Sequence, residues 1–148
     1  MRKAKLTDAE KIQDIIGDFA AEGAMLPRSI NYVISNIRDF WIYEKNGDIV
    51  GCCALHPLWH GLVEVKSLAV RKDFQKTGMG KNMVNKCIEE AETLEAKKVF
   101  TLTYVPGFFE KLGFRKEDKE SMPHKIWAEC INCPHFPDCD EVLMVKEL

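Results

Sequence analysis

The sequence predicts an α/β domain in which a mixed β-sheet is flanked by helices, and three observations carry that reading. The chain has 148 residues, which matches one domain at the usual ~100–200 residues per domain. Segments with apolar residues at helical spacing alternate with short runs rich in β-branched and aromatic residues, with no internal repeat between them. Two of those runs are separated by Asn46-Gly47, the strongest short-range signal of a β-hairpin.

The elements follow in order. Thr7-x-x-Glu10 fits a capping box, and Ile12, Ile15, Ile16, Phe19 and Ala20 recur behind it, so a first helix runs to about Glu22 and Gly23 ends it. Ser29 is placed to cap a second helix with apolar positions Ile30, Val33, Ile34 and Ile37, and Arg28 sits in the loop before it. Phe40 to Tyr43 and Ile49 to Leu55 form the arms of the hairpin. A strand fits Leu62 to Val70. A helix follows from about Gly78 to Glu95, with Met83, Val84, Cys87, Ile88 and Ala91 as its buried stripe. Val99 to Thr103 reads as a buried strand, Gly107 to Leu112 as a short helix broken by Gly113, and Glu141 to Val145 as a closing strand. A Cys/Pro/His-rich segment, 121–140, lies between the last two.

Composition narrows the function. Hydrophobic residues make up 46% and charged residues 30%, so the chain has the material for a core and is not of the disordered class. Lys+Arg total 21 against 23 Asp+Glu; no global positive field exists to draw nucleic acid or an anionic membrane. No apolar run reaches the ~18 residues of a membrane span, and polar residues follow Met1-Arg2-Lys3-Ala4-Lys5, so the cytoplasm is the expected compartment. Six cysteines without an export signal favour reduced thiols or a metal site over a disulfide framework.

The most informative segment runs from Leu68 to Lys81, a strand, a loop and a glycine-rich helix start carrying Gln75-x-x-Gly78-x-Gly80. A helix start presents unbonded N–H groups and the positive end of the dipole, and glycine lets an anion approach closely. The pattern outlines a pyrophosphate cradle. A P-loop would need Gly in place of Gln75 and Ser or Thr in place of Asn82; a dinucleotide fingerprint from Gly78 would need Gly or Ala in place of Met83. Neither fits.

This turn, together with Gly107-Phe108-Phe109-Glu110-Lys111-Leu112-Gly113-Phe114, resembles the acetyl-CoA-binding turn and later helix of the GNAT superfamily of N-acetyltransferases. The match is nearest to the acetyltransferase domain of bacterial N-acetylglutamate synthases, through Met25-Leu26-Pro27-Arg28-Ser29, Val63 to Val70, Phe100 to Thr103 and Val142-Leu143-Met144. The resemblance implies a GNAT-like splayed sheet, with acetyl-CoA entering where Leu62–Val70 and Val99–Thr103 diverge. Leu68, Ala69 and Val70 would offer backbone groups to the pantetheine arm, and Gln75, Lys76, Thr77, Gly78, Met79, Gly80 and Lys81 would surround the pyrophosphate. It further implies acetyl transfer to the α-amine of L-glutamate, a step of arginine biosynthesis, with Arg28 and Ser29 at the amino acid. The alternatives are another small amine or amino acid, or a regulatory module that binds acyl-CoA or metal without turnover.

Acetyl transfer needs a neutral amine, a stabilised oxyanion and a leaving thiolate. By the resemblance the Leu68 amide meets the oxyanion. Glu64, on the same strand, is the candidate base. Many members carry a tyrosine acid in the later helix, where this chain has Phe108-Phe109; Tyr104 is the available substitute, and unassisted departure of the thiolate is the alternative. His56, His60, His124 and His135 occupy no motif position.

Two further departures concern architecture. Full-length synthases add an arginine-sensing kinase-like domain, which 148 residues cannot also hold, so a stand-alone unit is expected. Cys130-x-x-Cys133 with Cys139 and His135 has donor types suited to zinc but lacks a second paired half; zinc, free thiols and a redox disulfide all remain open. The expected partner is a small-molecule amino-acid substrate, with a homodimer left open and neither nucleic acid nor membrane involved.

Overall fold

Asn46 and Gly47 both take left-handed backbone conformations, with φ of 52° and 79°, the requirement of a type I′ turn. They join β2 (Phe40–Lys45) to β3 (Asp48–Trp59) as the sequence predicts. The computed structural model describes residues 1–122 and 141–148. Its remaining elements are β1 (Arg2–Lys3), α1 (Ala9–Ala21), α2 (Ile30–Ser35), β4 (Leu62–Val70), α3 (Met79–Thr93), β5 (Lys98–Thr103), α4 (Pro106–Glu110), β6 (Arg115–Glu117) and β7 (Val142–Glu147), with short 3-10 turns between them. No helix among the described residues is long and apolar enough to cross a membrane.

The strands form one mixed sheet in the order β1-β2-β3-β4-β5-β7-β6. Every pairing is antiparallel except β4 with β5, which are parallel and joined through α3. Parallel neighbours need such a crossover because both strands run the same way. On one face the predicted α3 stripe, Met83, Val84, Cys87, Ile88 and Ala91, packs on Cys53, Val65 and Val99. On the other, Ile12, Ile15 and Ile16 of α1 meet Val33, Phe40 and Ile42. A third cluster joins Leu62, Phe100, Met122, Leu143 and Val145.

Several local expectations need correction. The Thr7/Glu10 box does not form: Asp8 stands at the N-cap position of α1 without a side-chain cap bond, and its carboxylate instead closes the preceding 3-10 turn, accepting the Lys5 amide at 2.7 Å and the two terminal Arg2 guanidinium nitrogens at 2.8 and 3.1 Å. The second helix stops at Ser35 because the Asn36 side chain donates to the Tyr32 carbonyl at 2.9 Å. Ile34, inside the helix, faces away from the core and is exposed, and Ile37 lies in a separate turn. β3 continues past Leu55 through Pro57 to Trp59, and Gly61, at φ 70°, turns it into β4. Cys52, Cys53 and Cys87 are buried free thiols, and burial pushes the Cys52 thiol up to about 12.

Hydrogen bonding by Arg2 holds the Asp8 carboxyl below its ordinary 3.8. A lowered folded-state value adds stability above the unfolded value, and that stability is lost as pH falls through the folded one. Replacing Asp8 with Asn should therefore cost ~1.5–3 kcal/mol at pH 7. The gap between parent and variant should close as pH drops below 3.8, which paired thermal or urea melts at pH 7 and pH 3 would test.

Candidate active site

The site begins with a failure of pairing. β4 and β5 match only at Leu62–Lys98, Val63–Val99 and Glu64–Phe100. Beyond Glu64 each strand stays with its outer neighbour: β4 pairs with β3 as far as Val70, and β5 pairs with β7 as far as Thr103. Where β3 pairs Cys52 with Ala69 and Ala54 with Lys66, the β4 residues between are Ser67 and Leu68, two against one. Ser67 is left-handed at φ 56°. This is a β-bulge, which bends its strand and leaves backbone groups outside the ladder.

The gap opens into a cleft of about 820 Å³. Its floor is β4 from Glu64 to Val70, one wall is Thr101 to Tyr104, and the α1–α2 loop with Met25, Leu26 and Arg28 closes the near end. Gln75, Lys76, Gly78, Gly80 and Lys81 form the far end, where α3 starts. The predicted residues Glu64, Leu68, Ala69, Val70, Tyr104 and Arg28 thus share one cavity with most of the glycine turn.

The turn is built for an anion. Lys76 and Gly78 are left-handed at φ 63° and 84°, the kind of backbone that forms an anion-binding concavity. Gly78 caps α3 without a side-chain hydrogen bond, and the first helical turn has no acidic residue. The first intrahelical bond runs from the Asn82 amide to the Gly78 carbonyl at 3.0 Å, so the amides of Met79, Gly80 and Lys81 lie ahead of the helix ladder. Gln75 holds this loop to the end of β4 by donating from Nε2 to the Val70 carbonyl at 2.9 Å. Thr77 and Met79 do not line the cleft through side chains: Thr77 donates to the Phe74 carbonyl at 2.5 Å, and Met79 is buried in the core.

At the near end, Arg28 is positioned by two neighbours. Its carbonyl accepts Gln13 Nε2 at 3.2 Å, and its guanidinium lies 4.3 Å from the Tyr32 ring centre. Lys66 Nζ approaches the same ring at 5.3 Å, which keeps the two cations within about 10 Å of one another. Both line the cleft with Glu64. Ser29 does not; its hydroxyl oxygen accepts the Tyr32 amide at 3.0 Å as the cap of α2. Lys66 and Tyr32 escaped the sequence reading, although each had a signal: Lys66 shares a strand face with Glu64 at i+2, and Tyr32 is at i+4 from Arg28.

Phe108 lines the cleft and packs beside Gly80, and Phe109 is core, edge-on to Phe114. Among the described residues no cluster of three metal-binding side chains exists. The zinc expectation for Cys130, Cys133, Cys139 and His135 falls outside the described residues.

The two glycines differ in a measurable way. A Cβ at Gly78 meets nothing within 4 Å but is strained by its φ of 84°, whereas a Cβ at Gly80 makes an ordinary 3.5 Å contact with Phe108 in helical backbone. Gly78→Ala should cost ~1–2 kcal/mol; Gly80→Ala should be neutral or stabilise by up to ~1 kcal/mol. Urea melts read both, and equal losses would contradict the assigned geometry.

Comparison with known proteins agrees with this anatomy. A family model described as an acetyltransferase (GNAT) domain matches residues 36–116, more than half of the chain. An uncharacterized N-acetyltransferase of Chlorobaculum tepidum is 40% identical over 148 residues, covering 100% of this chain and 96% of that protein. An amino-acid acetyltransferase of Mycobacterium tuberculosis is 27% identical over 132 residues, spanning 87% of this chain and 75% of that one. Among solved structures, N-acetylglutamate synthase from Neisseria gonorrhoeae, complexed with coenzyme A and N-acetyl-glutamate, matches in fold with a TM-score of 0.90 at 24% identity; the match covers 99% of this chain and 34% of that one. The chain belongs to the GNAT acetyltransferase family and is an N-acetyltransferase of that type.

Proposed function

We propose that this chain transfers the acetyl group of acetyl-CoA to the α-amine of L-glutamate. The observation that carries the reading is the cleft itself: an uncapped helix start at one end, an open strand edge along its floor, and Arg28 with Lys66 beside Glu64 at the other. Acetyl-CoA is an elongated ligand with a pyrophosphate, an amide-bearing arm and a reactive thioester. In this reading the pyrophosphate takes the amides at the start of α3 with Lys76 and Lys81 beside it. The pantetheine amides pair with β4 where β5 has left it, as an added strand does. The M. tuberculosis relative is called an amino-acid acetyltransferase, and the Neisseria neighbour holds coenzyme A and N-acetyl-glutamate; both support an amino-acid acceptor.

Glutamate carries two carboxylates, and the near end of the cleft carries two cations. Arg28 offers a planar fork to one carboxylate, pre-oriented by stacking on Tyr32. Lys66 supplies a point charge for the other. Glu64 removes the amine proton, the Leu68 amide at the bulge receives the oxyanion, and the Tyr104 hydroxyl, from the wall beside that floor, protonates the departing thiolate.

Thiol release from acetyl-CoA across a panel of amino acids tests this. Glutamate should exceed glutamine in kcat/KM by at least about tenfold, and Arg28→Ala should lower the glutamate value by a similar factor with acetyl-CoA affinity kept, Arg28→Lys falling between. Lys66→Met should lower turnover of glutamate more than that of glutamine. A parent enzyme that ignores glutamate and accepts a carboxylate-free amine would leave only the general acetyltransferase.

A further inference from the structure

His56 is the one histidine of the sequence that the structure gives a charged partner among the described residues. Its Nδ1 lies 2.6 Å from Asp39 Oδ2, with the two side chains 28% and 18% exposed. His56 stands directly opposite Glu64 in the β3–β4 ladder, in a regular stretch running from Ala54–Lys66 to Pro57–Val63. Residues directly opposite in an antiparallel pair share a face, with Cβ atoms about 4.5–5.5 Å apart. Glu64 lines the cleft, whereas His56 does not. The order from the cleft outward is therefore Glu64, His56, Asp39. The other charged groups near the imidazole are Lys66, two residues from Glu64 on the same face, and exposed Arg38 beside Asp39.

The reaction has a proton to dispose of. An acceptor ammonium brings three protons; the amide keeps one, the thiolate takes one, and the third must leave. In the proposed complex both substrates lie in the cleft that Glu64 lines, so a route for its proton that avoids the cleft runs through the neighbouring strand.

We infer that His56, oriented by Asp39, is a positioning residue that resets Glu64 by carrying this third proton to solvent on the far side of the strand pair. The ammonium gives a proton to the Glu64 carboxylate, which frees the nitrogen lone pair to attack the thioester carbonyl. The Glu64 carboxylic acid passes that proton, directly or through one water, to neutral His56 Nε2. Asp39 accepts the Nδ1–H hydrogen bond, which fixes the tautomer that leaves Nε2 basic and stabilises the imidazolium that forms. The imidazolium then gives up its Nε2 proton to water at the partly exposed ring, which restores the Nδ1–H tautomer held by Asp39. The inference rests on the reading of Glu64 as the base.

Three variants test it: Glu64→Gln, His56→Ala and Asp39→Asn, each assayed by thiol release with saturating acetyl-CoA. His56→Ala should lower kcat by about tenfold or more, leave KM for the acceptor within about twofold, and recover activity when imidazole is added to the buffer. Asp39→Asn should lower kcat by a smaller factor and gain nothing from imidazole. A His56→Ala enzyme with parental kcat, or one impaired but unmoved by imidazole, overturns the relay even where Glu64→Gln is inactive. A fully active Glu64→Gln enzyme instead overturns the base assignment on which the relay depends.

Discussion

The structure turns on one constraint: two parallel strands at the centre of the sheet pair for three residues and then part. Backbone N–H and C=O groups are obligatory hydrogen-bonding groups, so a strand edge exposed in mid-sheet calls for a partner. Here each strand is held by its outer neighbour. β5 stays in register with β7 through Thr103–Val142, and β4 stays with β3 through Gly51–Val70 despite the bulge at Ser67 and Leu68. The divergence is thus enforced from both sides, and the cleft is part of the sheet's own hydrogen bonding rather than a gap left by poor packing.

The remaining parts of the site take their positions from that parting. α3 is the crossover between the parted strands, so its N-terminus arrives at the open end of the gap, with Gln75 fastening the loop to Val70. With α1 packed on the other sheet face through Ile12, Ile15 and Ile16, the α1–α2 loop leaves Glu22 paired with Lys72 beyond the end of β4 and carries Arg28 to Tyr32 and Lys66. Positive groups line both ends, with Lys76 and Lys81 at one and Arg28 and Lys66 beside Glu64 at the other. A chain of net charge −2 therefore presents local fields suited to anionic groups without any global attraction for polyanions.

Much of this was legible in the residues. The α3 stripe read correctly because one helix face is wholly buried, and β4 read correctly because it is central and turn signals bound it. β1 and β6 were not legible: two- and three-residue strands carry no period, and their pairing comes from neighbours distant in sequence. The strand-like run ends at Leu55, whereas β3 continues through Pro57, which the ladder accommodates beside an irregularity between Pro57 and Trp59. In the sequence His56 is a histidine in no motif position; its face and its partner come only with the added strand length. The place where β4 and β5 separate left no mark in composition or spacing; Ser67 takes a left-handed conformation with no glycine to announce it. Only the resemblance pointed there.

The central claim is that coenzyme A lies in the parting of β4 and β5 with its pyrophosphate at the start of α3. Amide hydrogen exchange, followed by mass spectrometry with and without coenzyme A, tests it most directly. The account predicts slowed exchange within residues 68–70 and 76–81, where strand amides that face the parting and helix-start amides gain partners, with the α1 amides of residues 12–16 unchanged. Protection confined to other segments, or none at saturating coenzyme A, would contradict it.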